Sequence, residues 1–314
     1  MDNLKVPFPR IGGNDTGDMY KTFLETFYYS DEFTRMNKKL PLLEEILNFV
    51  TSHCPGDKDV AHPRAIVFMD GNIGAGKTTL LRSLALKEPY TDFGRKGVPM
   101  VTVLEPVDKF SQELNDFYLN KNETNAINLE LRIILENLRS FVTTVDKKEY
   151  VENEIIIFER GVHSTQFFIE ANRALYSADK YRILKSTIAC AIGFVNRWLW
   201  KLHRAAHFLV YLKSDPEECL KRIKQRSRET EEFIPFDYVK ALDIVHDKFY
   251  GVYPFALQVS ERGTLMRAVF QIVLPEYELG PFGKVPDHVI FYLAYSIISS
   301  TRAFGILRQW LQSR

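Results

Sequence analysis

The stretch AIVFMDGNIGAGKTTLLRSL, residues 65–84, passes from an unbroken apolar run through three glycines into a helical pattern. Few folds admit that order. Ala65–Met69 has no polar alternation, which predicts a strand buried on both faces of a parallel sheet. Leu80, Leu81 and Leu84 recur at helical spacing. Between them lies G-x-x-x-x-G-K-[ST], read as Gly71, Gly76, Lys77 and Thr78. Glycines let backbone N–H groups turn inward around an anion, and the next helix presents its positive end to the same point. The candidate phosphate loop is therefore Gly71, Asn72, Ile73, Gly74, Ala75, Gly76, Lys77, Thr78 and Thr79. Lys77 is expected to reach the outer phosphates, and the Thr78 hydroxyl to bind Mg²⁺.

A parallel sheet requires more strands, and the chain supplies candidates. Met100–Leu104, Ile155–Phe158 and Phe208–Leu212 are short apolar runs beside helical segments, with Arg267–Leu274 as a possible fifth. Helical patterns lie near Met19–Tyr29, Pro41–Val50, Ile127–Val145 and Gln166–His203, and again after Asp287. The implied organisation is a partly helical extension over 1–60, a nucleotide-binding α/β domain over 61–274 and a helical extension over 275–314.

Ligands in such sheets sit beyond the carboxyl ends of the strands. The second run is followed there by Glu105-Pro106 and the third by Glu159-Arg160; RIKQRSRETEE comes one helix after the fourth. A carboxylate at Glu105 can take a proton from an attacking hydroxyl, although it also reads as a solvated residue opening a loop. Glu159 can hold Mg²⁺ and Arg160 can steady a phosphoryl group, unless the two form a structural ion pair. Arg222 and Arg226 share a helix face, with Arg228 close behind. Their guanidinium forks match phosphate oxygens, although a solvated basic helix has the same composition. The acids that follow and the stop at Pro235 suit a helical lid. His203 and His207 have no third ligand at compatible spacing and read as structural.

The composition narrows the setting. The chain has 314 residues, 46% hydrophobic and 26% charged, with a formal net charge of +1. A near-neutral balance gives no footprint for nucleic acid or a membrane surface. Cys54, Cys190 and Cys219 are odd in number and widely spaced, which favours a reducing compartment. No run reaches the length of a membrane span, and the first twenty residues resemble neither a secretory nor a transit signal. The expected location is cytoplasmic or nuclear.

Taken in order, DGNIGAGKTT, LEPV, FERGVHS and YLKSDPEECLKRIKQRSRETEEFIP resemble the deoxynucleoside kinases, over about residues 65–250. That resemblance implies a P-loop kinase fold with a five-stranded parallel sheet, a homodimer, and ATP with Mg²⁺ phosphorylating the 5′-hydroxyl of a deoxynucleoside. It also implies roles. Glu105 would be the general base, Arg160 would lie near the transferred phosphoryl, and Glu159 near the metal. Arg222, Arg226 and Arg228 would be lid arginines around ATP. Glu231 and Tyr118 would meet the sugar 3′-hydroxyl.

The chain departs from the family at three points. Gly161 replaces a usual Ser, and Thr165 stands where the family helps choose the base. The family reads the base with a Gln on the helix after the Tyr, yet no Gln occurs between Gln112 and Gln166. An ungapped run from Tyr118 puts Leu129 there, with Asn128 and Asn125 as the nearest amides; a shifted one puts Arg132. Asn128 is taken as the candidate.

Two rival readings stand beside this one, the second of a different class. A thymidylate or other nucleoside-monophosphate kinase would need a cation beside Glu105-Pro106, where this chain has Leu104 and Val107. A non-catalytic structural relative would have no need of Lys77, Glu105 and Arg160, and all three are present.

Overall fold

A strand with no polar face needs cover on both sides, and β1 (Ala65–Gly71) has it: all seven residues are buried. The computed structural model describes residues 40–55, 63, 65–85, 100–146, 155–202, 206–226, 231, 233–250, 256–261 and 264–269. β1 is followed by α2 (Lys77–Ala85), β2 (Met100–Val103), α3 (Ser111–Leu119) and α4 (Glu123–Val145). Then come β3 (Ile155–Glu159), α5 (Thr165–Ala171), α6 (Ala178–Lys201), β4 (Ala206–Ser214), α7 (Pro216–Arg226) and α8 (Phe236–Tyr250). A helix α1 (Pro41–Ser52) precedes β1 and packs against α4; the chain's described part ends with β5 (Ala256–Glu261) and β6 (Thr264–Val269).

The sheet order is β2-β3-β1-β4-β6-β5. β1 is central to the parallel part, with Val67 opposite Ile157 of β3 and Phe208 of β4. β2 pairs parallel to β3, so the carboxyl ends of β1 to β4 share one edge. The α/β class and its four parallel strands are as expected. The fifth candidate, Arg267–Leu274, meets β6 only over 267–269, the rest lying outside the described residues, and β6 runs antiparallel to β4 and to β5, so the sheet is four parallel strands plus an antiparallel pair. Two residues separate β5 from β6, a link too short for a parallel crossover.

The pattern over Gln166–His203 also divides. α5 ends at Ala171 and α6 begins at Ala178, with a short 3₁₀ turn between. Asn172 and Ser177 bound the break, and both residue types favour turns. Asn172 Nδ2 donates to Tyr238 Oη (3.0 Å), while Ser177 N and Oγ donate to Glu123 Oε1 (2.6 and 2.7 Å). The expected helices over Met19–Tyr29 and after Asp287 lie outside the described residues. Among the described residues, no helix is long and apolar enough to cross a membrane.

Under the phosphate-loop end of the sheet, Phe68, Phe141 and Phe158 pack together, with Phe68 and Phe158 stacked at 5.4 Å between ring centroids. On the same face of the sheet, Tyr211 stacks against both His246 and Tyr250, at 5.5 and 4.5 Å between centroids. These rings give the loops at the carboxyl edge a packed base.

Candidate active site

The loop after β1 has the backbone its glycines predict. Gly71, Gly74 and Gly76 all have positive φ, at 154°, 77° and 97°. At Gly71 a Cβ would come within 2.4 Å of the Leu212 carbonyl oxygen, and at Gly74 within 2.4 Å of that of Cys219. The turn is therefore pressed onto the end of β4 and onto α7. Asn72 fastens it from the other side, its Nδ2 donating to Val239 O at 2.8 Å.

Lys77 opens α2 and is buried over the loop. Its Nζ donates to Gly71 O (3.0 Å) and Asn72 O (2.9 Å), so the ammonium lies above the cradle. Burial, reinforced by the Arg160 charge, lowers its pKa to about 8. Thr78 Oγ1 donates to Glu159 Oε1 at 2.5 Å. Two hard oxygens side by side at a phosphate loop suit Mg²⁺, which takes one or two protein oxygens and fills its shell with phosphate and water.

Arg160 follows β3 in a left-handed conformation, φ 64°, which costs a non-glycine residue about 1–3 kcal/mol. The position is fixed by its N–H, which donates to Met69 O at 2.8 Å. The buried guanidinium divides between two carboxylates. Nη1 donates to Asp70 Oδ1 (2.7 Å) and Nε to Glu105 Oε2 (3.3 Å). Burial raises the Glu105 carboxyl above the usual range, against the pull of Arg160. A cleft beside this pair is lined by Leu104, Pro106, Asn137, Phe141 and Gly161.

Asp70 is a member of this group that sequence reasoning missed. It is fully buried at the end of β1. Besides Arg160 it accepts from Ser164 Oγ (2.9 Å) and Tyr250 Oη (3.1 Å), and the Nε2 atoms of His246 and His163 stand 3.6 and 3.9 Å away. Burial alone would raise its pKa; His246 and Arg160 overcome this and hold it far below the usual carboxylate value. His163 is pushed down to about 4 by burial and is neutral at pH 7. The signal in the sequence was a lone acid at the end of an apolar strand, beside the first glycine.

The same cluster explains Gly161. A Cβ there would lie 2.8 Å from both His163 Nδ1 and Phe68 Cδ1, so the rings occupy the space a Ser would need. Ser164 takes the local hydroxyl role, accepting from Gly161 N at 3.2 Å while it donates to Asp70.

Asp70→Asn is expected to destabilise the fold by about 2–3 kcal/mol, because it removes one of two counter-charges from a buried guanidinium. Chemical denaturation measures this, and an unchanged midpoint would assign Asp70 no part in holding Arg160.

The lid residues gather partly. Arg222 Nε donates to Glu218 (3.1 Å), and its Nη1 lies 3.4 Å from Ala75 O, against the phosphate loop. Arg226 Nε and Nη2 both point to Glu231 Oε2, at 2.8 and 2.6 Å, which ties the lid to the residue expected at the sugar. Arg228 lies outside the described residues. Tyr118 is close enough to Glu231 and Arg160 to feel both, and burial raises its phenol. Thr165 is fully buried at the start of α5, and Thr79 is exposed on α2. Of the base-reading candidates, Asn125 Nδ2 donates to the Asp116 and Asn120 carbonyls, both at 2.9 Å. Arg132 Nε donates to Glu113 Oε1 at 2.9 Å. Leu129 is buried, and Asn128 is half-buried on α4.

A family model for deoxynucleoside kinase matches residues 67–265. The chain is 24% identical over 216 residues to the mitochondrial thymidine kinase 2 of Homo sapiens, covering 65% of this chain and 73% of that one. It is 28% identical over 187 residues to a deoxyguanosine kinase of Dictyostelium discoideum, covering 59% and 58%. With the deoxycytidine kinase 1 of Xenopus laevis the figures are 24% over 195 residues, covering 58% and 72%.

Proposed function

Because this chain belongs to the deoxynucleoside kinase family, we propose that it moves the γ-phosphoryl group of ATP to the 5′-hydroxyl of a deoxynucleoside. The observation that carries the reading is the convergence at one sheet edge. Lys77 and Thr78 after β1, Glu105 after β2, and Glu159 and Arg160 at the end of β3 gather there, with Thr78 bonded to Glu159 and Arg160 to Glu105.

The chemistry divides among them. The loop amides and Lys77 hold the β- and γ-phosphates, with Arg222, Arg226 and Arg228 closing from the lid side. The acceptor 5′-oxygen attacks the γ-phosphorus, its proton passes to Glu105, and the bond to the β–γ bridging oxygen breaks to release ADP. Arg160 holds Glu105 in place and faces the charge that grows on the transferring oxygens. Thr78 and Glu159 would hold Mg²⁺, which when bound screens the phosphate charge. Glu231 and Tyr118 would orient the sugar.

Salvage of nucleosides and a homodimer belong to the same proposal and rest on the resemblance alone. The limits of the family match support a kinase domain over about 61–274, with extensions over 1–60 and 275–314. Deoxynucleoside-dependent conversion of ATP to ADP, with Mg²⁺ present, tests the reading. It fails if none of the four deoxynucleosides is phosphorylated.

A further inference from the structure

One guanidinium serves two carboxylates in this site, and it serves them unequally. Arg160 Nη1 donates to Asp70 Oδ1 at 2.7 Å, while Nε reaches Glu105 Oε2 only at 3.3 Å. The first bond is at the short end of the usual N–H···O range and the second is just past its long end. The cation therefore leans toward Asp70. Its backbone cannot follow either partner, because the Arg160 N–H is tied to Met69 O at 2.8 Å. The ring of Phe168 lies 4.9 Å from the guanidinium carbon and covers one of its faces.

Asp70 is built to stay where it is. Its carboxylate is fully buried, and each oxygen accepts two hydrogen bonds. Oδ1 takes Gly71 N (2.7 Å) besides Arg160, and Oδ2 takes Ser164 Oγ (2.9 Å) and Tyr250 Oη (3.1 Å). Those donors come from the end of β1, the residue after β3, the turn before α5 and the last turn of α8. A carboxylate that accepts this many bonds is held in its charged form. The Glu105 carboxylate, among the described residues, accepts one bond, from Arg160 Nε.

A second carboxylate on the cation is more than is needed to hold Glu105. A carboxylate fully paired with an arginine is a weak base, because the guanidinium stabilises its charged form. Resting on the kinase reading above, we propose that Asp70 is a positioning residue that holds Arg160 back from Glu105, so that Glu105 keeps the basicity to take the proton of the acceptor hydroxyl. Arg160 then orients the base through one long bond without neutralising it. The Asp70 charge also acts on Glu105 directly and in the same direction. It raises the carboxyl, as burial and Glu159 do, against the pull of Arg160 and Lys77. Among the described residues, the charges facing Glu105 are thus Arg160 and Glu159 at the end of β3, Lys77 on α2 and Asp70 on β1. His163 and His246 face Asp70 instead, with Nε2 at 3.9 and 3.6 Å.

The test follows the single-turnover rate of phosphoryl transfer against pH, with saturating ATP, Mg²⁺ and the deoxynucleoside that the wild type uses best. Full-length wild type, Asp70→Asn and Tyr250→Phe are compared, with steady-state KM values alongside. Losing the Asp70 charge lets Arg160 close on Glu105. Asp70→Asn should slow the chemical step about tenfold and hold KM for ATP and for nucleoside within about threefold. Glu105 works when it has lost its proton, so a weaker base also moves the acidic limb of the profile, by about one to two pH units, to lower pH. Tyr250→Phe keeps the Asp70 charge and removes one bond that spreads it, so its limb should move to higher pH. A slowed Asp70→Asn whose limb stays at the wild-type position gives Asp70 a structural role and overturns the proposal, as does a wild-type rate. If Asp70→Asn does not fold, Tyr250→Phe decides, and a limb that is unmoved or at lower pH overturns the proposal while the kinase reading stands. A wild-type protein that phosphorylates no deoxynucleoside overturns both.

Discussion

Replacing Lys77 with Ala is expected to lower kcat by at least about 10³-fold while the protein melts close to the wild-type temperature. The ammonium is the cation aimed into the loop, held there by the Gly71 and Asn72 carbonyls. Its partners lie within one turn, and the sheet core beneath does not depend on it. Its lowered pKa of about 8 adds a second signature. A lysine carries its charge below its pKa and loses it above. In the free enzyme, kcat/KM for ATP should therefore fall as the pH rises through about 8. That alkaline limb should be absent from the residual activity of Lys77→Ala. A variant with normal kcat would remove the loop from phosphate binding.

Glu105→Gln should cut kcat by about 10²–10⁴-fold and leave KM for ATP unchanged. A 5′-hydroxyl is a poor nucleophile, and its proton must leave as the bond to phosphorus forms. Glu105 is suited to accept it: burial makes the carboxyl more basic than usual, and Arg160 Nε fixes its orientation. Gln keeps the shape and can still accept from Arg160, but it takes no proton. The competing acid, Glu159, is bonded to Thr78 and directed toward the metal position. Near-normal kcat in Glu105→Gln, under conditions where chemistry limits the rate, would transfer the role elsewhere.

The sequence exposes the parallel strands because each is an apolar run with nothing to confuse its period. With the strands placed, their carboxyl ends pick out Lys77, Glu105, Glu159 and Arg160 without further help. What escapes has a physical reason in each case. Asp70 reads as one acid in an apolar strand; its partners Ser164, His246 and Tyr250 come from residues far along the chain, and only folding brings them together. Glu130, 1% exposed, falls within a helix whose Arg132 and Glu136 pair one turn apart. Its burial depends on how α4 turns against its neighbours. The β5–β6 pair escapes because Arg267–Leu274 reads as one more apolar strand, whereas the antiparallel direction follows from the two-residue link back to β5, which the apolar run itself does not announce. The break between α5 and α6 is set by a contact from Asn172 to Tyr238, which local helical periodicity overlooks.

The central claim is that the acceptor is a nucleoside hydroxyl. The most direct measurement is steady-state phosphoryl transfer from ATP with Mg²⁺ to each of the four deoxynucleosides and to dTMP, with product identified as the 5′-monophosphate or the diphosphate. The account predicts that at least one deoxynucleoside gives its 5′-monophosphate and that dTMP is a poor acceptor, because Leu104 and Val107 flank Glu105-Pro106 without a charge and the cation beside Glu105, Arg160, is engaged by Glu105 and Asp70. Efficient phosphorylation of dTMP with all four deoxynucleosides inert would contradict it.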